Sequence, residues 1–310
     1  MSVKYANAVA AVKAMENTLL TRSDIDQMIS ARTRAEAEAI VSAKTSGNDS
    51  LEKVWEMLSS YAPDDRELRI LLYRNDFHDL KAVLKATIAN RDPSVYYISP
   101  ANVSLEELSR AVSTKEFDIL PAHLAEPAEE AYELLTRTLD GQLSDSLIDA
   151  AALKAMQDDA EKYGGEFMKS FAALTTVCAD IKTAFRCSRN GKNAGFIETA
   201  VCGSREIDKL SLVRAAQTGT ESLLSFLDTT PYGEAAALLR ESPARFEKWC
   251  DDKIMELAET ARLQAFGIEP LAAYYIAKEA ELKNLRILGV CRECGSDRET
   301  IEERMRKLYV

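Results

Sequence analysis

Gly267-Ile268-Glu269-Pro270 opens a helical pattern that runs from about Leu271 to Gly289 and carries Glu281-Leu282-Lys283. The same order of acid, aliphatic and lysine stands at Asp180-Ile181-Lys182 and at Asp79-Leu80-Lys81, each copy 101 positions before the next. Each copy also follows an aromatic residue and then a helix breaker: Tyr61 and Pro63, Tyr163 with Gly164 and Gly165, Phe266 and Gly267. Self-similarity at a fixed period fixes architecture before any single motif does, and this period is longer than the roughly 20–50 residues of a solenoid unit. It predicts an all-α chain of three small, similar helical domains in tandem, at 1–103, 104–203 and 204–310.

The 310-residue chain carries a formal net charge of −11. Nucleic-acid affinity comes largely from clustered Lys and Arg, and no such cluster stands in the sequence, so no nucleic-acid partner is expected. No apolar run reaches the roughly 18–20 residues needed to span a bilayer, and Met1-Ser2-Val3-Lys4-Tyr5 does not read as a signal peptide. The expectation is a soluble, intracellular chain with no direct lipid anchoring. Six cysteines (Cys178, Cys187, Cys202, Cys250, Cys291, Cys294) in a chain with ample core material read as reduced thiols rather than a disulfide framework.

Helical periodicity continues along the chain. Ala8, Val12, Met15 and Leu19 stripe a helix from Tyr5 to about Leu19, which Thr21 to Asp24 break. A short helix from Ile25 and another over Arg34 to Ala43 follow, then a turn at Gly47-Asn48-Asp49 and a helix over Leu51 to Tyr61. The first long helix is expected from Asp64 to about Asn90, with Asp64 and Asp65 favouring its positive end. Arg91 to Pro100 reads as a linker, a turn over Arg91 to Ser94 followed by an extended Val95 to Pro100. Ser104 and Glu107 form a capping box. Further helices are predicted at Pro127 to Leu139, Asp145 to Lys162 and Glu166 to Cys187. Arg189 to Asn193 reads as a second loop. Ser204 is expected to cap Arg205 to Ala216, and Thr230-Pro231 and Ser242-Pro243 open Tyr232 to Arg240 and Ala244 to Ala265. Ser296 and Glu299 are read as boxing a last helix to Leu308. No βαβ alternation occurs.

Chemistry is sparse. Within each triplet the acid and the lysine lie about 200° apart around a helix and cannot form one local acid/base pair. The triplets are therefore read as structural, with Leu80, Ile181 and Leu282 turned inward and the acid or lysine tied to an adjoining helix. The pairs Asp64-Asp65, Asp158-Asp159 and Asp251-Asp252 invite comparison with the carboxylates of α-helical, metal-dependent transferases. They lack a second set of carboxylates on an opposing face, and Arg66 and Arg69 crowd the first. Cys291-Arg292-Glu293-Cys294 has zinc or redox spacing, but no second pair completes a tetrahedral site, and His78 and His123 are the only histidines. No phosphate loop or nucleophile motif is present. No catalytic, cofactor or metal residue is assigned, and the chain is read as non-enzymatic.

Longer motifs then identify a family. Arg74-Asn75-Asp76-Phe77-His78-Asp79-Leu80-Lys81-Ala82-Val83-Leu84-Lys85-Ala86, the run from Phe266 to Ile287, the closing Ile301 to Val310 and the opening Tyr5-Ala6-Asn7-Ala8-Val9 resemble the C subunits of A-type and V-type rotary ATPases, a family that includes the d subunit of the vacuolar enzyme. The resemblance covers nearly the whole chain. It implies three similar domains in a pseudo-threefold, funnel-like arrangement. It also implies a non-catalytic central-stalk component, peripheral on the cytoplasmic face, that joins the shaft made by subunits D and F to the membrane proteolipid ring, with the membrane stator as a further neighbour. Proton or sodium transport would be the work of the whole machine. Gly289 to Gly295, with its two cysteines, departs from the glycine- and lysine-containing loop usual there. A free-standing helical scaffold and a metal-dependent transferase are the competing readings.

Overall fold

The computed structural model describes residues 5–31, 33–45, 50–62 and 64–310. The turn expected at Gly47-Asn48-Asp49, the breaker Pro63 and the opening Met1 to Lys4 lie outside the described residues. In chain order the helices are α1 (Ala6–Glu16), α2 (Arg22–Ser30), α3 (Arg34–Thr45), α4 (Leu51–Tyr61), α5 (Arg66–Arg69), α6 (Tyr73–Ile88), α7 (Leu105–Thr114), α8 (Ala122–Thr138) and α9 (Gly141–Tyr163). They continue as α10 (Glu166–Arg189), α11 (Ala194–Ala200), α12 (Lys209–Thr218), α13 (Thr220–Asp228), α14 (Gly233–Glu241), α15 (Pro243–Thr260), α16 (Glu269–Glu293) and α17 (Arg298–Arg304). Among the described residues there is no β-strand, so the all-α expectation holds.

The chain divides into two compact units: one combines residues 1–68 with 238–310, the other is 69–237. In the first, α16 is the central rod, packed by α1, α4 and α15. Every residue from Pro270 to Lys278 is buried. A helix enclosed on all sides needs apolar residues around its whole circumference, and Ala272, Ala273 and Ala277 let its neighbours approach closely. Leu20, Ile25 and Met28 from the N-terminal part join Leu288, Cys291, Ile301 and Met305 in one cluster, so the two chain ends build one core. In the second unit α9 packs against α6, α8, α10 and α11, and α12 bridges α10, α11 and α13.

Several local expectations are corrected. Thr21 to Asp24 do not merely end α1; Thr21 and Asp24 form a capping box that starts α2. The single helix expected over Asp64 to Asn90 is α5, a 3-10 turn at Ile70–Leu72, and α6. Ile70, Leu71 and Leu72 are all buried. Three successive side chains fan across about 200° of an α-helix, and the tighter turn re-aims them. α8 begins at Ala122 with Pro121 as its N-cap, and Pro127 lies inside it rather than opening it.

Ser204 accepts from the N–H groups of Glu206 and Ile207 in a turn, while Asp208 caps α12 through Ser211. Asp297, not Ser296, caps α17 through Thr300, and the chain leaves that helix at Arg304. Residues 305–310 are then pinned by side chains: Asn284 exchanges two hydrogen bonds with the backbone of Arg306, and Asp252 accepts from the N–H of Lys307. The capping box at Ser104, the cap at Ser242 and the bounds of α4 are as predicted.

The recurring breakers act in different ways. At Gly164 a Cβ would stand 2.7 Å from the Ala160 carbonyl oxygen and 2.9 Å from Met168 Cβ, so close helix approach excludes a side chain. Gly267 has φ +100°, a left-handed conformation that side chains resist.

Candidate functional site: three buried carboxylates and the segments they hold

The acids of the triplets are buried. Asp79 of α6, Asp180 of α10 and Glu281 of α16 are 0%, 3% and 2% exposed. A buried carboxylate has to be supplied with donors or lose its charge. Here each one accepts from the backbone of a segment outside its own helix. Asp79 Oδ1 takes the Ile98 N–H at 2.9 Å. Asp180 takes two, Cys202 N–H on Oδ1 and Gly203 N–H on Oδ2, both at 2.8 Å. Gly203 has φ +94°, the conformation that lets consecutive amides face one carboxylate. Glu281 Oε2 takes the Leu20 N–H at 2.6 Å.

In the first two copies the held amide follows its acid by 19 and 22 residues. In the third it comes from the beginning of the chain. That hydrogen bond lies within the unit that combines residues 1–68 with 238–310. Arg292 near the end of α16 reinforces this by donating to the carbonyls of Met28 and Ala31.

The three sites differ in charge compensation. Glu281 pairs with Lys278, one turn earlier and equally buried. Asp180 relies on its two amides and the more distant Lys209; burial still pushes its carboxyl up to about 6. Asp79 has one amide, and among the described residues its Oδ2 has no hydrogen-bond partner. Burial, with the neighbouring charge of Asp76 adding to it, pushes Asp79 up to about 7 against the pull of the Ile98 N–H.

Asp76 is a fourth buried acid that sequence reasoning did not single out. It accepts from Asn102 N–H at 2.6 Å, from Asn102 Nδ2 at 2.7 Å and from Val103 N–H. His123 Nε2 lies 3.7 Å from its Oδ2, with the imidazole stacked on Tyr73. The signal was present: Tyr73, Asp76, Phe77 and Leu80 fall on one helical stripe, so an acid there is an acid in the core. Lys278 was equally legible, three residues before Glu281 in an otherwise apolar run. The segment Arg91 to Pro100, expected to be a linker, is a strap bound to α6. Asn75 Nδ2 donates to the Pro100 carbonyl and His78 Nε2 to that of Tyr96.

The other triplet residues sit as follows. Leu80 and Ile181 are fully buried, whereas Leu282 is only half-buried, which corrects the expectation of three equally inward aliphatics. Lys81 reaches Asp149 of α9 at 2.5 Å and Lys283 reaches Asp251 of α15 at 2.5 Å; Lys182 is half-buried. The Asp pairs are engaged with partners. Asp64 binds Arg66, Asp158 binds Lys154, Asp159 accepts from Tyr73, Asp251 also binds Arg306, and Asp252 binds Lys248. Among the described residues no three His, Cys, Asp or Glu side chains are grouped as a metal site. Cys291 is buried in the shared core and Cys294 is exposed. The chemistry available is that of holding segments in place.

Among the described residues no helix is long and apolar enough to cross a membrane. The family described as ATP synthase (C/AC39) subunit matches residues 44–304. The C subunit of the V-type sodium ATPase of Enterococcus hirae is 30% identical, over 83% of this chain and 80% of its own length. The C subunit of the V-type ATP synthase of Thermus thermophilus is 24% identical over 76% and 73%. The C subunit of the A-type ATP synthase of a Desulfurococcus species is 22% identical over 96% and 90%. With a match across most of its length, the chain belongs to the C/AC39 family of ATP synthase subunits.

Proposed function

We propose that the chain is the non-catalytic central-stalk subunit of a V/A-type ATPase or ATP synthase, a socket that couples the shaft of subunits D and F to the membrane proteolipid ring. The observation that carries this reading is the family match over residues 44–304, together with relatives named as the C subunits of V- and A-type enzymes. The architecture supports it. A part that passes torque between two others has to resist shear, and buried carboxylates that fix crossing segments to long helices supply cross-links of that kind. The proposal includes three similar domains in a pseudo-threefold, funnel-like arrangement, divided at 1–103, 104–203 and 204–310. The nine triplet positions, Asp79, Leu80, Lys81, Asp180, Ile181, Lys182, Glu281, Leu282 and Lys283, are its equivalent framework points.

The protein would sit on the cytoplasmic face, held by protein contacts rather than lipid, because a net charge of −11 gives anionic headgroups no overall attraction. Docking faces of standard size, about 1,200–2,000 Å² in total, suffice for stable attachment. The test is sedimentation with anionic liposomes that are bare, that hold the proteolipid ring, or that hold the ring with the D/F pair added. Binding that needs the ring and then recruits D/F is the expected result. Sedimentation with bare liposomes, or no gain from the ring, overturns the reading.

A further inference from the structure

Residues 94–103 cross α6 as a strap whose outer side is open to solvent, with Val95 77%, Tyr96 50% and Ile98 39% exposed. Its inward anchors are Pro100 and Val103, which are buried. Polar latches hold the rest: Ile98 N–H on Asp79, Asn102 and Val103 N–H on Asp76, Asn75 Nδ2 on the Pro100 carbonyl and His78 Nε2 on that of Tyr96. Two of these latches are carboxylates one turn apart on the same helix face. They differ in supply. Asp76 is surrounded by donors and has His123 beside it, whereas, among the described residues, Asp79 has one donor, on Oδ1, and an enclosed Oδ2 with none.

The charged groups on the packed elements do not compensate Asp79. On α6 itself, Lys81 is drawn to Asp149 and Lys85 to Asp145, both on α9, while His78 is turned to the Tyr96 carbonyl of the strap. Also from α9, Asp159 is taken by Tyr73. On α7, Glu106, Glu107 and Arg110 are exposed, with Glu107 folded back on Ser104. On α8, His123 faces Asp76. Asp76 is therefore the charge that bears on Asp79, and it is of like sign.

We propose that residues 94–103 form a proton-controlled latch, closed when Asp79 carries a proton and loosened when it ionises. A protonated Asp79 still offers an oxygen to the Ile98 N–H and places no second charge beside Asp76. An ionised one is an enclosed anion with a single donor, and strap opening admits the water that would solvate it. The sign follows from linkage. The closed form holds Asp79 at about 7, and the opened form returns it toward its ordinary 3.8. Closing therefore takes up a proton, and its stability is greatest below the ordinary value and falls as pH rises toward about 7. The latch would set how the apolar face of Val95, Tyr96 and Ile98 is presented, a pH response additional to any role as a socket.

The experiment is amide hydrogen exchange on the intact chain from pH 5 to pH 8, with intrinsic rates divided out. Opening should rise about 50-fold between pH 5 and 7 if Asp79 becomes fully hydrated, and level off above. Protection of Ile98, Asn102 and Val103 should fall by about ten- to fifty-fold accordingly. Asp79→Asn keeps an oxygen for Ile98 and cannot ionise, so these three amides should lose their pH dependence while Cys202 and Gly203, held by Asp180, retain theirs. A wild-type change below about threefold overturns the proposal without recourse to the variant. An equal slope in Asp79→Asn overturns it as well.

Discussion

Glu281 and Asp79 do the same job at corresponding places in the sequence repeat, yet one is given a buried cation and the other a like-charged neighbour. Glu281 in α16 accepts the Leu20 N–H while Lys278 neutralises it. Asp79 in α6 accepts the Ile98 N–H beside Asp76. The geometric task, a backbone segment fixed to a long helix, is therefore separable from the electrostatic one. Where the segment joins the two chain ends, the site is a closed ion pair. Where it ties down a local strap, the site is poised to change protonation near neutrality.

The largest consequence lies on the Glu281 side. Lys278→Met leaves an enclosed carboxylate without its cation, and removing one partner of a buried pair costs about 3–5 kcal/mol. Chemical denaturation should show a loss of that size. Adding Glu281→Gln removes the stranded charge and should recover a large part of it, because replacing a buried pair entirely is far milder than halving it. A single Lys278→Met change within about 1 kcal/mol of wild type would mean that the two sites are electrostatically alike after all.

The Asp79 side should respond with the opposite sign. Its raised carboxyl contributes stability that is fully present below about 3.8 and lost as pH rises through about 7. Asp79→Asn keeps the acceptor and removes the ionisation, so at pH 8 it should stabilise the chain by about 1–3 kcal/mol, with the gain vanishing near pH 4. Denaturation midpoints at the two pH values check this. Destabilisation at pH 8 would show that the ionised form strengthens the hold on Ile98 more than burial penalises it.

Much of this was written in the sequence and some was not. The period found Asp79, Asp180 and Glu281, and the family motifs ran through Arg74 to Ala86 and Phe266 to Ile287. The period could not say that the acids face inward, because the helix positions that carry them were read as tying outward to neighbours. Burial of an acid is decided by donors elsewhere in the chain, and Leu20, Ile98 and Cys202 are donors through backbone amides, which any residue but proline supplies. The hydrogen bond from Leu20 N–H to Glu281 was hidden for the same reason. Helix ends were misread where two candidate caps lie close together: Ser204 against Asp208, and Ser296 against Asp297. The 3-10 turn at Ile70–Leu72 was missed because periodicity alone cannot separate a short tight turn from one turn of α-helix.

A smaller effect tests whether the N-terminal strap owes its course to Glu281 alone. Thr21 and Asp24 form the capping box that starts α2 immediately after Leu20. Thr21→Ala removes the acceptor for the Asp24 N–H and should cost about 1 kcal/mol, typical of a lost N-cap. Hydrogen exchange of the Leu20 amide should stay slow in this variant. Fast exchange there would mean that the cap, rather than the buried carboxylate, positions the strap.

The smallest effect belongs to the lysines of the triplets, which share the acids' repeat but not their burial. Lys283 is 44% exposed and meets Asp251, which Arg306 also binds at 2.7 Å. An exposed pair is worth about 0.2–1 kcal/mol, and here the carboxylate keeps a second cation after the lysine is gone. Lys283→Ala should therefore change stability by less than about 0.5 kcal/mol, and about 0.5 M salt should shrink even that. Lys81, 22% exposed against Asp149, stands slightly deeper, and Lys81→Ala should cost somewhat more. A Lys283→Ala loss above about 2 kcal/mol would make the lysine, alongside the acid, part of what the repeat preserves.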